Sequence, residues 1–200
     1  MKFIAVLGRQ PKISIAELTA LFSDVKQVSS EIAIIETTER PEIKRLGGTL
    51  KLAEKMAVSP LKYLSDLEGG KITLGISDYS KNSSARKSQN EALKLKKILV
   101  RHGKSVRVLQ NKTAALSTAT SHHNQLGEKK NHEELILVGN EWFRVFGVQN
   151  ITAYAKRDQA RPARDAKVGM LPPKLAQILI NLCGNLEKGS LILDPFVGLE

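Results

Sequence analysis

The run Phe3 to Leu7 is apolar at every position and predicts a strand. After a turn at Gly8 and Pro11, the stretch Ser14-Ile15-Ala16-Glu17 has the form of a capping box. In such a box the serine accepts from the amide three residues on and the glutamate reaches back. Ile13 and Leu18 are placed to staple the same turn, so a helix is expected from Ser14 to about Phe22. Val25 to Val28 and Ile32 to Ile35 predict a hairpin turning at Ser29-Ser30. A weak helix over Pro41 to Leu46, the Gly47-Gly48 turn and a strand over Thr49 to Ala53 complete a small α+β layer.

Gly69-Gly70 marks a second boundary. Lys71 to Ser77 is strand-like, and Ser83 or Ser84 caps a helix running to about His102 with Gly103 as its stop. The 3.6-residue period gathers Ala92, Leu95, Ile98 and Leu99 on one side of this helix and Lys87, Lys94, Lys97 and Arg101 on the other. A strand over Ser105 to Leu109, a helix over Ala114 to Leu126, and a hairpin of Leu135 to Val138 with Trp142 to Val148 follow. From Ile151 to Lys167 neither period is present. The pairs Arg157-Asp158 and Arg164-Asp165 around Pro162 read as an extended linker that touches something else, its arginines Arg157, Arg161 and Arg164 being as readily structural, through local ion pairs, as functional. Pro172-Pro173 open a helix with an apolar face of Leu175, Ile178, Leu179 and Leu182, and Gly184-Asn185 close it. Leu191-Ile192-Leu193 has the character of a buried parallel strand. No internal repeat is present.

Charge adds a direction to this outline. The net charge is +11, and residues 71 to 112 hold eleven basic and two acidic side chains, most of that excess. A concentrated positive field captures polyanions, so nucleic acid is the first expected partner. The candidate contacts are Lys87, Lys94, Lys97 and Arg101, joined by Lys104 and Arg107. A merely solvated face mixes both signs, whereas this helix offers only Glu91. An anionic membrane is the second choice, disfavoured because the basic helix lacks Trp or Phe anchors. Aromatic content of 4% argues against a stacking platform for single strands. With no apolar run long enough to span a membrane and no signal peptide, a cytoplasmic location is expected. Cys183 is the only cysteine and is expected to pack in the core. His122, His123 and His132 lack carboxylates at ligand spacing and read as surface residues, so no metal site is expected. No catalytic triad, paired carboxylates or phosphate loop is found.

Residues 148 to 182, VQNITAYAKRDQARPARDAKVGMLPPKLAQILINL, followed by LILDPFVG, resemble the junction in the THUMP-containing RNA methyltransferases. Within these the chain is similar to archaeal-type tRNA guanosine-10 N2-methyltransferases. Leu46-Gly47-Gly48-Thr49 and Leu116-Ser117-Thr118-Ala119 resemble the family less specifically. The resemblance implies an α+β architecture in four parts. These are a ferredoxin-like domain over 1–55, a THUMP-like α/β RNA-binding domain over 60–150, a linker over 151–170, and over 171–200 the first helix and strand of a Rossmann-like methyltransferase domain. Arg161 and Arg164 of the linker join the candidate RNA contacts, and the resemblance makes Asp194, Pro195, Phe196 and Gly198 the start of an S-adenosylmethionine loop. Val197 stands in place of the family's usual cysteine, and Leu199 and Glu200 stand where threonine and glycine are usual. The family's Asp-Pro-Pro-Tyr catalytic motif has no counterpart. The expected role is therefore the tRNA-binding N-terminal part of a tRNA guanine-N2 methyltransferase, truncated in its cofactor loop and inactive by itself. Leu191 to Leu193 would then lack the strands that bury them. The alternative from another class is a complete, non-catalytic RNA-binding module.

Overall fold

The computed structural model describes residues 1–160, 170–187 and 189–193. Its elements run β1 (Lys2–Leu7), α1 (Pro11–Leu21), β2 (Asp24–Gln27), β3 (Ile32–Glu36), a 3-10 turn (Ile43–Arg45), β4 (Thr49–Lys55), α2 (Pro60–Asp66), β5 (Ile72–Asp78), α3 (Ala85–Arg101), β6 (Val106–Val108), α4 (Thr118–His123), β7 (His132–Val138), β8 (Glu141–Val148), α5 (Ile151–Gln159) and α6 (Pro173–Leu182). The fold is α+β, with one mixed sheet of eight strands in the order β2-β3-β1-β4-β8-β7-β5-β6. Only β5 with β6 and β5 with β7 pair in parallel; the other neighbours are antiparallel. Strand β4 pairs with β8 from Lys51↔Val148 to Lys55↔Phe143, which joins the strands of residues 1–55 to those of 60–150 edge to edge.

Alternation along the strands divides the core between the two faces of the sheet. Ile72, Leu74 and Ile76 of β5 pack with Ala92, Leu95 and Leu99 of α3. On the opposite face Gly75 lies under Leu116, where a methyl would collide with the Leu116 side chain. In the first part of the chain Phe3, Ala5 and Leu7 pack with Leu18 and Leu21 of α1. A third cluster mixes Ile4, Val6, Ile32 and Ala53 with Ile136, Phe143, Val145 and Val148.

Several elements differ from the sequence pattern for identifiable reasons. Helix α1 begins one turn before Ser14, at Pro11, whose missing amide costs nothing in a first turn. Ser14 and Glu17 are therefore not a capping box. The Ser14 hydroxyl donates to the Gly48 carbonyl (2.8 Å), and Glu17 accepts from the amides of Gly47 and Gly48 (2.8 Å each). The helix expected over Ala114 to Leu126 shrinks to α4, because the Ala114 carbonyl already accepts from the Ser88 hydroxyl (2.6 Å) and the Asp78 amide (3.0 Å). Residues 151–159 form α5 rather than an extended linker; Asn150 caps it by accepting from the Ala153 amide (2.8 Å). Helix α6 turns Ile178 and Asn181 inward, leaving Leu179 and Leu182 exposed. Cys183, expected in the core, is also exposed. Leu191 and Leu193 are 95% and 83% exposed and belong to no strand.

Candidate nucleic-acid interface

Helix α3 is built from both ends by its own sequence. Ser84 accepts from the Lys87 amide at the N-terminus, and Gly103 takes φ +77° just past the C-terminus, where a side chain would be strained. Between these ends Ser88, Ala92, Leu95 and Leu99 are buried against the sheet. The 100° step per residue then sends Lys87, Lys94, Lys97 and Arg101 to the opposite side, and all four are exposed.

The structure sets these four on one face of α3, but Arg107 does not join them: it lies between Val106 and Val108, which pack with α3, and so falls on the opposite face of the sheet beside Thr73. Lys97, Arg101 and Arg107 are exposed and make no ion pair or side-chain hydrogen bond among the described residues. Lys94 lies 3.5 Å from Glu91 in an exposed pair, an interaction worth little in water. Lys87 donates to the Asn82 carbonyl (2.7 Å) and so ties down the loop before the helix. Lys104 is a correction: it is half-buried and donates to the Leu67 carbonyl (2.6 Å), which fastens the segment after α2 to the end of α3. Its ammonium is engaged with the protein itself. Arg161 and Arg164, and the cofactor positions Asp194, Pro195, Phe196 and Gly198, lie outside the described residues.

Sequence reasoning passed over Arg86. It is exposed and stands eleven residues, almost a whole number of turns, before Lys97. That spacing was the available signal. Arg157, read as a linker arginine, stacks 4.2 Å from the centre of the Tyr154 ring, with the Lys174 ammonium 5.3 Å away. Burial raises the Tyr154 hydroxyl above its ordinary range and lowers the Lys174 ammonium below its own. On β8, opposite Leu135, Arg144 donates to Glu133 (2.9 Å) and lies 5.3 Å from the Tyr63 ring. Burial, followed by the charge of Glu133, pushes the Tyr63 hydroxyl up to about 12. Among the histidines, His132 hydrogen-bonds with the Asn124 carbonyl (2.6 Å) and His122 with Thr152 (3.2 Å), while His123 is exposed.

Helix α3 also walls one side of a cavity of about 370 Å³. Its floor is Ile76, Leu137 and Trp142, on the sheet face that α3 covers only in part. Lys87, Ser88 and Glu91 form the helical wall, and Asp78, Gly139 and Asn140 form the rim.

Among the described residues no helix is long and apolar enough to cross a membrane. No protein-family model matches the chain, and no curated protein matches it. A crystal structure of PH1313 from Pyrococcus horikoshii Ot3 is similar at a TM-score of 0.43 and 11% sequence identity. The match covers 74% of this chain and 54% of that one, so the chain spans about half of that protein's length.

Proposed function

We propose that the chain is a tRNA-binding unit of an S-adenosylmethionine-dependent tRNA guanine-N2 methyltransferase. The observation that carries the RNA-binding part is the exposed face of α3, where Lys97 and Arg101 have no protein partner among the described residues. Cations with no carboxylate to pair with are available to phosphates, and the counterions they displace supply the binding free energy. Folded RNA suits such a surface. The deep major groove of an A-form helix is closed to side chains, so contact falls on phosphates and shape. The methyltransferase part rests on the sequence resemblance, with Asp194, Pro195, Phe196 and Gly198 as its cofactor residues.

The test is tRNA binding across a salt series. Unmodified chain is expected to bind with a dissociation constant on the order of 10⁻⁴ to 10⁻⁶ M at physiological salt. Replacing Lys94, Lys97 and Arg101 together by glutamate is expected to abolish measurable binding at that salt. At lower salt it should reduce the log–log salt slope by about 2. An unchanged affinity and slope would remove the α3 face from the reading.

A further inference from the structure

We infer that the cavity beside the first turns of α3 is a subsite for one unpaired nucleobase carrying an exocyclic amine, an inference that rests on the RNA-binding reading above. Residues 71 to 112 hold eleven basic side chains and only two acidic ones, Asp78 and Glu91. Both acids line this one cavity. Carboxylates placed for solubility or for local ion pairs would be dispersed along so basic a segment. Here they converge from two different elements, the end of β5 and the second turn of α3.

The remaining walls supply what a base needs. Trp142, the single tryptophan, offers aromatic surface with Ile76 and Leu137 beside it, and stacking on such a side chain is tolerant of base identity. Its volume lies within the range of small-ligand pockets. Selection then falls to the carboxylates, which only accept hydrogen bonds. One oxygen of Asp78 takes the Ser80 amide (2.8 Å), and Glu91 has only the loose Lys94 contact. Acceptor capacity therefore remains on both. Cytosine, adenine and guanine offer an exocyclic N–H₂ donor, and acidic side chains read such amines. Uracil presents carbonyl oxygens where those bases carry the amine, and two carboxylates repel them. Lys87 joins the two sites, since it borders the cavity and also begins the basic face. A strand whose phosphates follow α3 therefore passes the mouth of the subsite.

Trp142 makes the test direct, because it is the only tryptophan and lies in the proposed site. The full chain is titrated with single-stranded oligocytidylate, oligoadenylate and oligouridylate of equal length. Trp142 emission is followed in parallel with the anisotropy of a labelled strand. Oligocytidylate and oligoadenylate are expected to quench Trp142 and to bind at least about fivefold more tightly than oligouridylate, as suits a hydrogen bond to a charged group. Glu91→Gln and Asp78→Asn, the latter keeping an acceptor for the Ser80 amide, are each expected to bring that ratio toward one. Equal binding of all three strands by anisotropy with unchanged emission overturns the subsite and leaves the RNA-binding reading standing. No binding of any strand or of tRNA by anisotropy overturns the RNA-binding reading, and the subsite with it.

Discussion

Glu17 is fully buried, and its two oxygens accept from the Gly47 amide, the Gly48 amide and the Asn181 side chain at 2.7 to 2.8 Å. A lone ionised carboxylate in such a place would be expensive, and three donors converging on it offset that cost. The two glycine amides belong to a turn whose carbonyls are also spoken for. Gly47 accepts from Gln149, and Gly48 accepts from Gly8 and Ser14. The sequence shows the residues of this arrangement but not their use, since serine and glutamate three apart ahead of an apolar run are identical to a capping box. Only the tertiary position of Gly47-Gly48 separates the two. Replacing Glu17 by alanine strands three buried donors, at about 1 kcal/mol or more each, so a loss of about 3 kcal/mol is expected in urea unfolding. Glutamine should recover less than half of that loss, because its amide group presents N–H to N–H at one glycine. A loss below about 0.5 kcal/mol for alanine would show that water or a rearranged turn satisfies those amides.

Among the elements, α3 was legible because cap, period and stop agree locally: Ser84, the Ala92-Leu95-Leu99 stripe and Gly103 specify the same helix without help from the rest of the chain. Helix α5 carried a legible signal that the charges of Arg157 and Asp158 obscured, namely asparagine at 150 three residues before the amide it caps. Helix α6 was found, but its buried side was assigned only in part. Ile178 is buried as the period gave it, whereas Leu179 and Leu182 are exposed, and the helix is held also by Asn181 reaching Glu17 of α1 and by Lys174 reaching Gln149 (2.5 Å). Polar contacts of this kind leave no periodic trace. They place the α6 backbone directly on Gly47, where an added methyl would overlap the Lys174 carbonyl oxygen and crowd Ile178. Gly47→Ala is therefore expected to loosen α6 selectively. Hydrogen exchange at the amides of residues 176 to 182 should accelerate at least about tenfold, while those of β1 and β5 keep their protection. Uniform acceleration through the sheet would mean that the glycine is needed for the turn itself rather than for the approach of the helix.

At the scale of the whole molecule, the strand-by-strand pattern predicted most of the β elements but not that they would form one sheet, because pairing of β4 with β8 joins residues almost a hundred positions apart. Its consequence lies in the core as much as in the ladder. The cluster of Ile4, Val6, Ile32, Ala53, Ile136, Phe143, Val145 and Val148 draws side chains from both halves of the chain. Beside it, Lys51 of β4 is 1% exposed and pairs with Glu134 of β7 (2.5 Å), which is 0% exposed. Lys51 also donates to the Leu116 carbonyl (2.8 Å), while the Ser77 and Ser121 hydroxyls donate to Glu134 (2.5 and 2.6 Å). Unfolding residues 1–55 alone would leave Glu134 as a buried charge with its cation removed, an uncompensated loss of about 3–5 kcal/mol, and would uncover half of that apolar cluster. Residues 1–55 and 60–150 are therefore expected to unfold together. In native-state hydrogen exchange the slowest amides of β1 and of β5 should report the same opening free energy within about 0.5 kcal/mol and shift equally with urea. Lys51→Met should lower both by the same amount. Two separate plateaus, with β1 opening well below β5, would show instead that the first part of the chain is an independent folding unit and that the β4–β8 seam is only a docked edge.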